Sequence, residues 1–177
     1  IIWLYHSIRK NTFKYERRNT ISRISRKSKN DSVIVRLIKL FFYFLFFFRV
    51  FFLRCRETGE SALIYAANEH EKLLELCKAL NVKTVLETHG HWDHIQAIPA
   101  VREAGYEVGV TSADAKMLPS YDYLLEDETV IEIGRLRLHT ILTPGHTPGS
   151  ICFRLEDSPI LFSGDTLLIN GTGRTDF

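Results

Sequence analysis

The sequence has 177 residues, 45% hydrophobic and 25% charged, enough for one domain with a sizeable core. Its net charge of +2 is a cancellation: residues 1–56 carry a net of +12, with only Glu16 and Asp31 as acids, and residues 57–177 carry a net of −10. The acidic second part argues against a phosphate-binding surface there, and so against nucleic acid as its partner.

Cys55, Cys77 and Cys152 are widely spaced and form no CxxC pair. Three cysteines cannot close into a full set of disulfides, and the pattern fits a reducing, cytoplasmic setting. The sequence opens at Ile1, has Met117 as its only methionine and stops at Phe177, just past a glycine-rich loop. The expectation is a fragment, or a chain whose start was removed.

Residues 1–56 contain no Ala, Gly, Pro or Gln and hold 9 of the 12 Phe. Residues 40–48 read LFFYFLFFF. The wider window 33–53 is long enough to cross a bilayer, which takes about 20 residues. Arg36 and Arg49 lie near its ends, where long side chains snorkel; Lys39 lies further in. The basic run Arg23, Arg26, Lys27 and Lys29 would face the cytoplasm. Three readings stay open: a membrane anchor, a cleaved signal peptide lacking a small-residue cleavage site, and a non-native leader. The missing turn formers favour the leader.

From Glu57 the texture changes, and residues 57–177 read as one α/β domain. Residues 61–66 (SALIYA) predict a short strand. Leu73, Leu74, Leu76, Cys77 and Leu80 fall at helical spacing within 69–80, with Asn68 as N-cap. Residues 83–87 predict a strand running into His89. Pro99 fits the first turn of a helix that continues to Ala104 and ends at Gly105. Residues 106–110 predict a strand, and Ser112 is the expected cap of a short helix through Met117. Residues 129–133 and 135–142 predict strands flanking Gly134. In the second, Leu136 and Leu138 alternate with Arg135, Arg137 and His139, so one face is buried. Residues 151–155 and 160–162 predict two more strands. Helices alternate with strands at first and strands dominate later, which implies helices outside packed sheets. Cys77 on its helix and Cys152 on its strand read as core.

The densest signal is Thr88-His89-Gly90-His91-Trp92-Asp93-His94, three imidazoles and a carboxylate just past a predicted strand. These groups hold zinc and similar divalent ions. In an extended segment residues two apart point the same way, so His89 and His91 can grip one ion. Gly90 lets the backbone turn sharply between them. Asp93 and His94 would face elsewhere, toward a second ion or as a base beside the first. Thr143-Pro144-Gly145-His146-Thr147-Pro148-Gly149 sets His146 in a stiff loop after a strand, and Phe162-Ser163-Gly164-Asp165-Thr166 sets Asp165 at the end of another. Ligands at successive strand ends converge on one sheet edge. His6, His70 and His139 have no partner motif and read as ordinary histidines.

His-x-His-x-Asp-His, then Pro-Gly-His-Thr-Pro-Gly, then Ser-Gly-Asp-Thr, in this order, resemble the metallo-β-lactamase superfamily over about residues 57–177. The resemblance implies an αββα sandwich with the metal site at one edge. It implies that His89, His91 and His146 bind a first ion, that Asp93 and His94 bind a second, and that Asp165 bridges them. Zinc is the expected metal, as one or two ions, with Fe2+ or Mn2+ as other choices. The family's last metal-binding His lies further along than Phe177, so the fold reads as incomplete at the C-terminus. Residues 1–56 offer no counterpart of the family's N-terminal strands.

A divalent ion lowers the pKa of a water it binds from about 15.7 to about 7, giving a hydroxide that attacks a carbonyl or phosphoryl centre. Asp93 would orient that nucleophile or take its proton, which makes it the expected catalytic residue. Gly171-Thr172-Gly173-Arg174-Thr175-Asp176-Phe177 resembles two branches of the superfamily. One is the glyoxalase II-like thioester hydrolases. The other is the persulfide dioxygenases, which use one iron at positions matching His89, His146 and Asp165; in many of them a Cys stands where this chain has Thr172. Both handle glutathione derivatives, so Arg174 would position an anionic group of the substrate, or else pair with a carboxylate such as Asp176. The expectation is a metallo-hydrolase of a thioester or similar small ester. The alternatives are an iron-dependent glutathione persulfide dioxygenase and a truncated, inactive metal-binding fragment. Membrane contact through residues 33–53 stays open.

Overall fold

The computed structural model describes residues 2–4, 16–18, 21–24, 33–41, 47–168 and 170–175, with side chains from Val50 onward. His6, residues 26–29 of the basic run, residues 42–46 of the phenylalanine run, Asp176 and Phe177 lie outside the described residues.

The first 56 residues supply strands to both sheets. β1 (Ile2–Leu4) edges the smaller sheet, and β2 (Glu16–Arg18), β3 (Ile21–Ile24), β4 (Val33–Phe41) and β5 (Phe47–Cys55) build half of the larger one. Within the window read as a membrane span, the described residues form two antiparallel strands, paired from Val33↔Cys55 to Phe41↔Phe47. Nine-residue segments rich in Val, Ile, Leu and Phe suit a strand as well as a span, and apolar composition alone does not separate the two. Among the described residues no helix is long and apolar enough to cross a membrane.

β5 pairs with β6 (Ser61–Ile64), and Val50, Phe51, Phe52, Leu53 and Cys55 are buried in the same core as Leu63, Val85 and Phe153. The division drawn between residues 56 and 57 thus falls inside one sheet. Residues 1–56 were not expected to contribute strands, and β1 to β5 all lie within them.

Beyond β6 the larger sheet turns parallel through β7 (Val82–Leu86), β8 (Glu107–Thr111) and β9 (Tyr123–Leu125). Parallel neighbours need crossovers. These are α1 (His70–Ala79), then α2 (Trp92–Ile95) with α3 (Ile98–Glu103), then a 3-10 turn at Ala115–Met117. Pro99 sits in the first turn of α3 as expected. Two caps differ from expectation: Glu69, at φ 51°, precedes α1 while Asn68 Oδ1 accepts from its N–H, and Asp114 rather than Ser112 opens the 3-10 turn.

The smaller sheet orders β1 with β13 (Ile160–Phe162), β12 (Ile151–Leu155), β11 (Leu136–Leu142) and β10 (Val130–Ile133), all antiparallel. Leu136 and Leu138 are buried and Arg137 is exposed, the expected alternation. A short ribbon of β14 (Leu167–Leu168) and β15 (Gly171–Thr172) follows. The two sheets face each other: the Phe51 ring meets Tyr65 on one side and Phe162 of the smaller sheet on the other, each at 5.9 Å. Among the described residues the helices all lie in the crossovers of the larger sheet.

Candidate metal centre

Three loops leave strand ends and meet where the sheets adjoin. β7 runs through Glu87-Thr88 into His89-Gly90-His91 and then α2. β11 runs into the loop of His146, and β13 into Ser163-Gly164-Asp165. The N–H of Ile151 donates to the carbonyl of Thr88 at 2.9 Å, which joins the first loop to the smaller sheet.

This brings ligand atoms of His89, His91 and His146 within 4.8 Å of one another, and those of His89, His94 and Asp165 likewise. His89 belongs to both groups. Each oxygen of Asp165 faces a different imidazole: Oδ1 is 3.7 Å from His94 Nε2, and Oδ2 is 3.8 Å from His146 Nε2. Asp93 is half exposed, its Oδ2 3.7 Å from His94 Nε2, and belongs to neither three-residue group. Gly90 does not have a positive φ. Its role is close approach, because a Cβ there would lie 2.6 Å from Met117 Cβ.

Hydrogen-bond chemistry assigns one tautomer. His146 Nδ1 lies 3.0 Å from the carbonyl oxygen of Arg174, which can only accept, so Nδ1 carries the proton. The lone pair of neutral His146 is then on Nε2, which faces His91 Nδ1 at 2.9 Å. Nitrogens around a tetrahedral zinc at about 2.0–2.1 Å stand roughly 3.3 Å apart, so this is nearly a ligand–ligand spacing. Arg174 is exposed and contributes its main chain here. The bond requires a tight loop: a Cβ at Gly173 would collide with the backbone oxygen of Asp165.

Burial pushes His89 below the usual imidazole range, with neighbouring His94 adding to the effect. Burial likewise takes His94 down to about 3 and lowers His91, next to His146. All three are therefore neutral near pH 7, the form that binds metal. The buried His89 Nε2 and His94 Nδ1 find no hydrogen-bond partner among the described residues. An orphaned buried nitrogen is costly unless something takes its lone pair, and a divalent cation at His89 Nε2 fits that requirement. Behind His89, the fully buried Glu87 carboxyl accepts from the Ala66 N–H at 2.9 Å, and burial pushes it up to about 8. It therefore adds no full charge behind the histidines at pH 7.

Sequence reasoning missed the Arg174 carbonyl, the Tyr65 ring set at a 60° tilt against His94 with centroids 4.6 Å apart, and Asp114, a buried carboxylate touching two of the three loops. A main-chain acceptor has no residue-type signal, and a lone Asp has little.

Two facing sheets with crossover helices and a histidine-rich edge define a class. Residues 60–177 match the sequence profile of the Metallo-beta-lactamase superfamily, and the chain belongs to that superfamily. It is 36% identical over 126 residues to a hydroxyacylglutathione hydrolase of Fuscovulum blasticum, covering 70% of this chain and 49% of that protein. It is 37% identical over 126 residues to the mitochondrial persulfide dioxygenase ETHE1 of Bos taurus, covering 69% and 49%. The chain thus spans about half the length of each relative. The solved structure of TTHA1623 in a di-iron-bound form superposes with a TM-score of 0.67 at 25% identity, over 79% of this chain and 77% of that one.

Proposed function

We propose that the chain is a metal-dependent hydrolase of the hydroxyacylglutathione hydrolase type, cleaving a thioester of glutathione or a similar small ester. The carrying observation is the convergence of four histidines and Asp165, with His89 Nε2 buried and lacking a hydrogen-bond partner among the described residues. His89, His91 and His146 would hold one ion. His94 would hold a second, helped by Asp93, and Asp165 would reach across to both. Zinc suits this nitrogen-rich set. Such a cation supplies Lewis acidity: it polarises a carbonyl and lowers the pKa of water from about 15.7 to about 7. Asp93 Oδ2, half exposed beside His94, would take the proton of the attacking water. His146 keeps its own proton on Nδ1 through the Arg174 carbonyl and stays a lone-pair donor. The Arg174 guanidinium would pair with a carboxylate of the glutathione moiety.

The second reading, an iron-dependent persulfide dioxygenase, is favoured by the Bos taurus relative, and the two histidines and one carboxylate it would use, His89, His146 and Asp165, are a donor set that suits non-haem iron, with Asp165 Oδ2 3.8 Å from His146 Nε2. Thiol release from a hydroxyacylglutathione, abolished by chelator and restored by zinc, is the expected result. One iron per chain, with oxygen uptake on glutathione persulfide and no thioester cleavage, overturns the hydrolase in favour of the second reading.

A further inference from the structure

Asp114 lies outside every motif that marks the site, yet it is fully buried at the head of the 3-10 turn. Its carboxylate accepts three hydrogen bonds. The Gly90 N–H, between His89 and His91, reaches Oδ2 at 2.8 Å. The hydroxyl of Thr147, next to His146, reaches the same oxygen at 2.6 Å. The Gly149 N–H reaches Oδ1 at 2.7 Å. A carboxylate offers only acceptors, so Thr147 must donate to it, and Ser150 then satisfies the Thr147 oxygen at 2.8 Å. The hydroxyl of Thr111 adds a further bond to the Gly149 carbonyl at 2.7 Å. One side chain therefore spans two loops 55 or more positions apart in sequence, and it binds each within one residue of a histidine.

We propose that Asp114 is a positioning residue that locks the His89–His91 turn to the His146 loop, fixing the mutual geometry of three imidazoles before a cation arrives. This rests on the reading of those histidines as a metal site. Preset ligands bind more tightly because less ordering is left to the binding step, and supports of this kind carry about 10- to 100-fold in metal affinity.

The test uses the chain purified without metal, with Co2+ as probe, following d–d absorption and chelator competition. Asp114→Asn turns one acceptor into a donor facing a donor. Thr147→Val removes a single hydroxyl at nearly the same shape. Asp114→Asn is expected to weaken Co2+ binding about 10- to 100-fold and to change the d–d envelope in the folded fraction. Thr147→Val is expected to do so less strongly with the metal-free melt retained. A folded Asp114→Asn with wild-type affinity and spectrum overturns the proposal. If that variant does not fold, an unchanged spectrum and affinity in Thr147→Val overturns it instead. Wild-type protein that binds no Co2+ sinks the metal reading and this proposal together, whereas equal binding by wild type and variants sinks this proposal alone.

Discussion

His146 donates its Nδ1 proton to the main-chain carbonyl of Arg174 over 3.0 Å, so the residue expected to touch substrate also supports a ligand through its backbone. The two roles separate by mutation. Arg174→Ala keeps the carbonyl, so metal affinity stays within about twofold, and a loss appears in KM for a glutathione substrate. Gly173→Ala forces the loop away from Asp165 and His146 and costs about 10- to 100-fold in metal affinity. Chelator competition on both variants checks this; equal losses of affinity would contradict the division.

Phe52 tests whether the phenylalanine-rich segment belongs to the fold. Its side chain is fully buried in β5, within a core that draws on both sheets. Phe52→Ala is expected to cost about 3–5 kcal/mol in urea unfolding of the metal-free chain. An unchanged midpoint would mean that residues before 57 lie outside the cooperative unit.

Asp122 gives the pH dependence. Its carboxylate accepts from Arg102 and from the N–H of Val108 at 2.8 Å, tying α3 to β8. The Arg102 hydrogen bond holds it below the usual carboxylate value, so the folded state favours the ionised form. The stabilisation is present above the unfolded value near 3.8 and is lost as pH falls through the lower folded value. Asp122→Asn should therefore lower Tm by about 2–4 °C at pH 7, with the difference shrinking as the solution is acidified below pH 4. A gap that persists undiminished at pH 2 would contradict the ionic origin.

The candidate metal-site residues stood out in the sequence because four of them crowd into six positions and the other two sit in glycine-marked loops after strands. Helical spacing in residues 69–80 and the alternation around Leu136 were legible for the usual reason, a face turned to the core. The strands Val33–Phe41 and Phe47–Cys55 were not: an apolar run reports that water is excluded, not whether lipid or protein excludes it. Asp114 was equally opaque, because its partners are two main-chain amides and a hydroxyl brought together only by the fold.

His89 is the one imidazole shared by both ligand groups, and that asymmetry predicts a pattern of metal loss. His91→Ala leaves His89, His94 and Asp165 intact, and His94→Ala leaves His89, His91 and His146 intact. Each single variant should retain a cation, at reduced stoichiometry if wild type binds two. His89→Ala damages both groups and should bind metal more weakly than either. It also removes a buried imidazole whose Nε2 has no hydrogen-bond partner among the described residues, so the metal-free chain should lose less stability than a buried truncation of that size usually costs. Equilibrium dialysis with elemental analysis gives the stoichiometry, and melting of metal-free samples gives the second comparison. Equal metal retention in all three variants would mean that the two groups do not share His89 in solution.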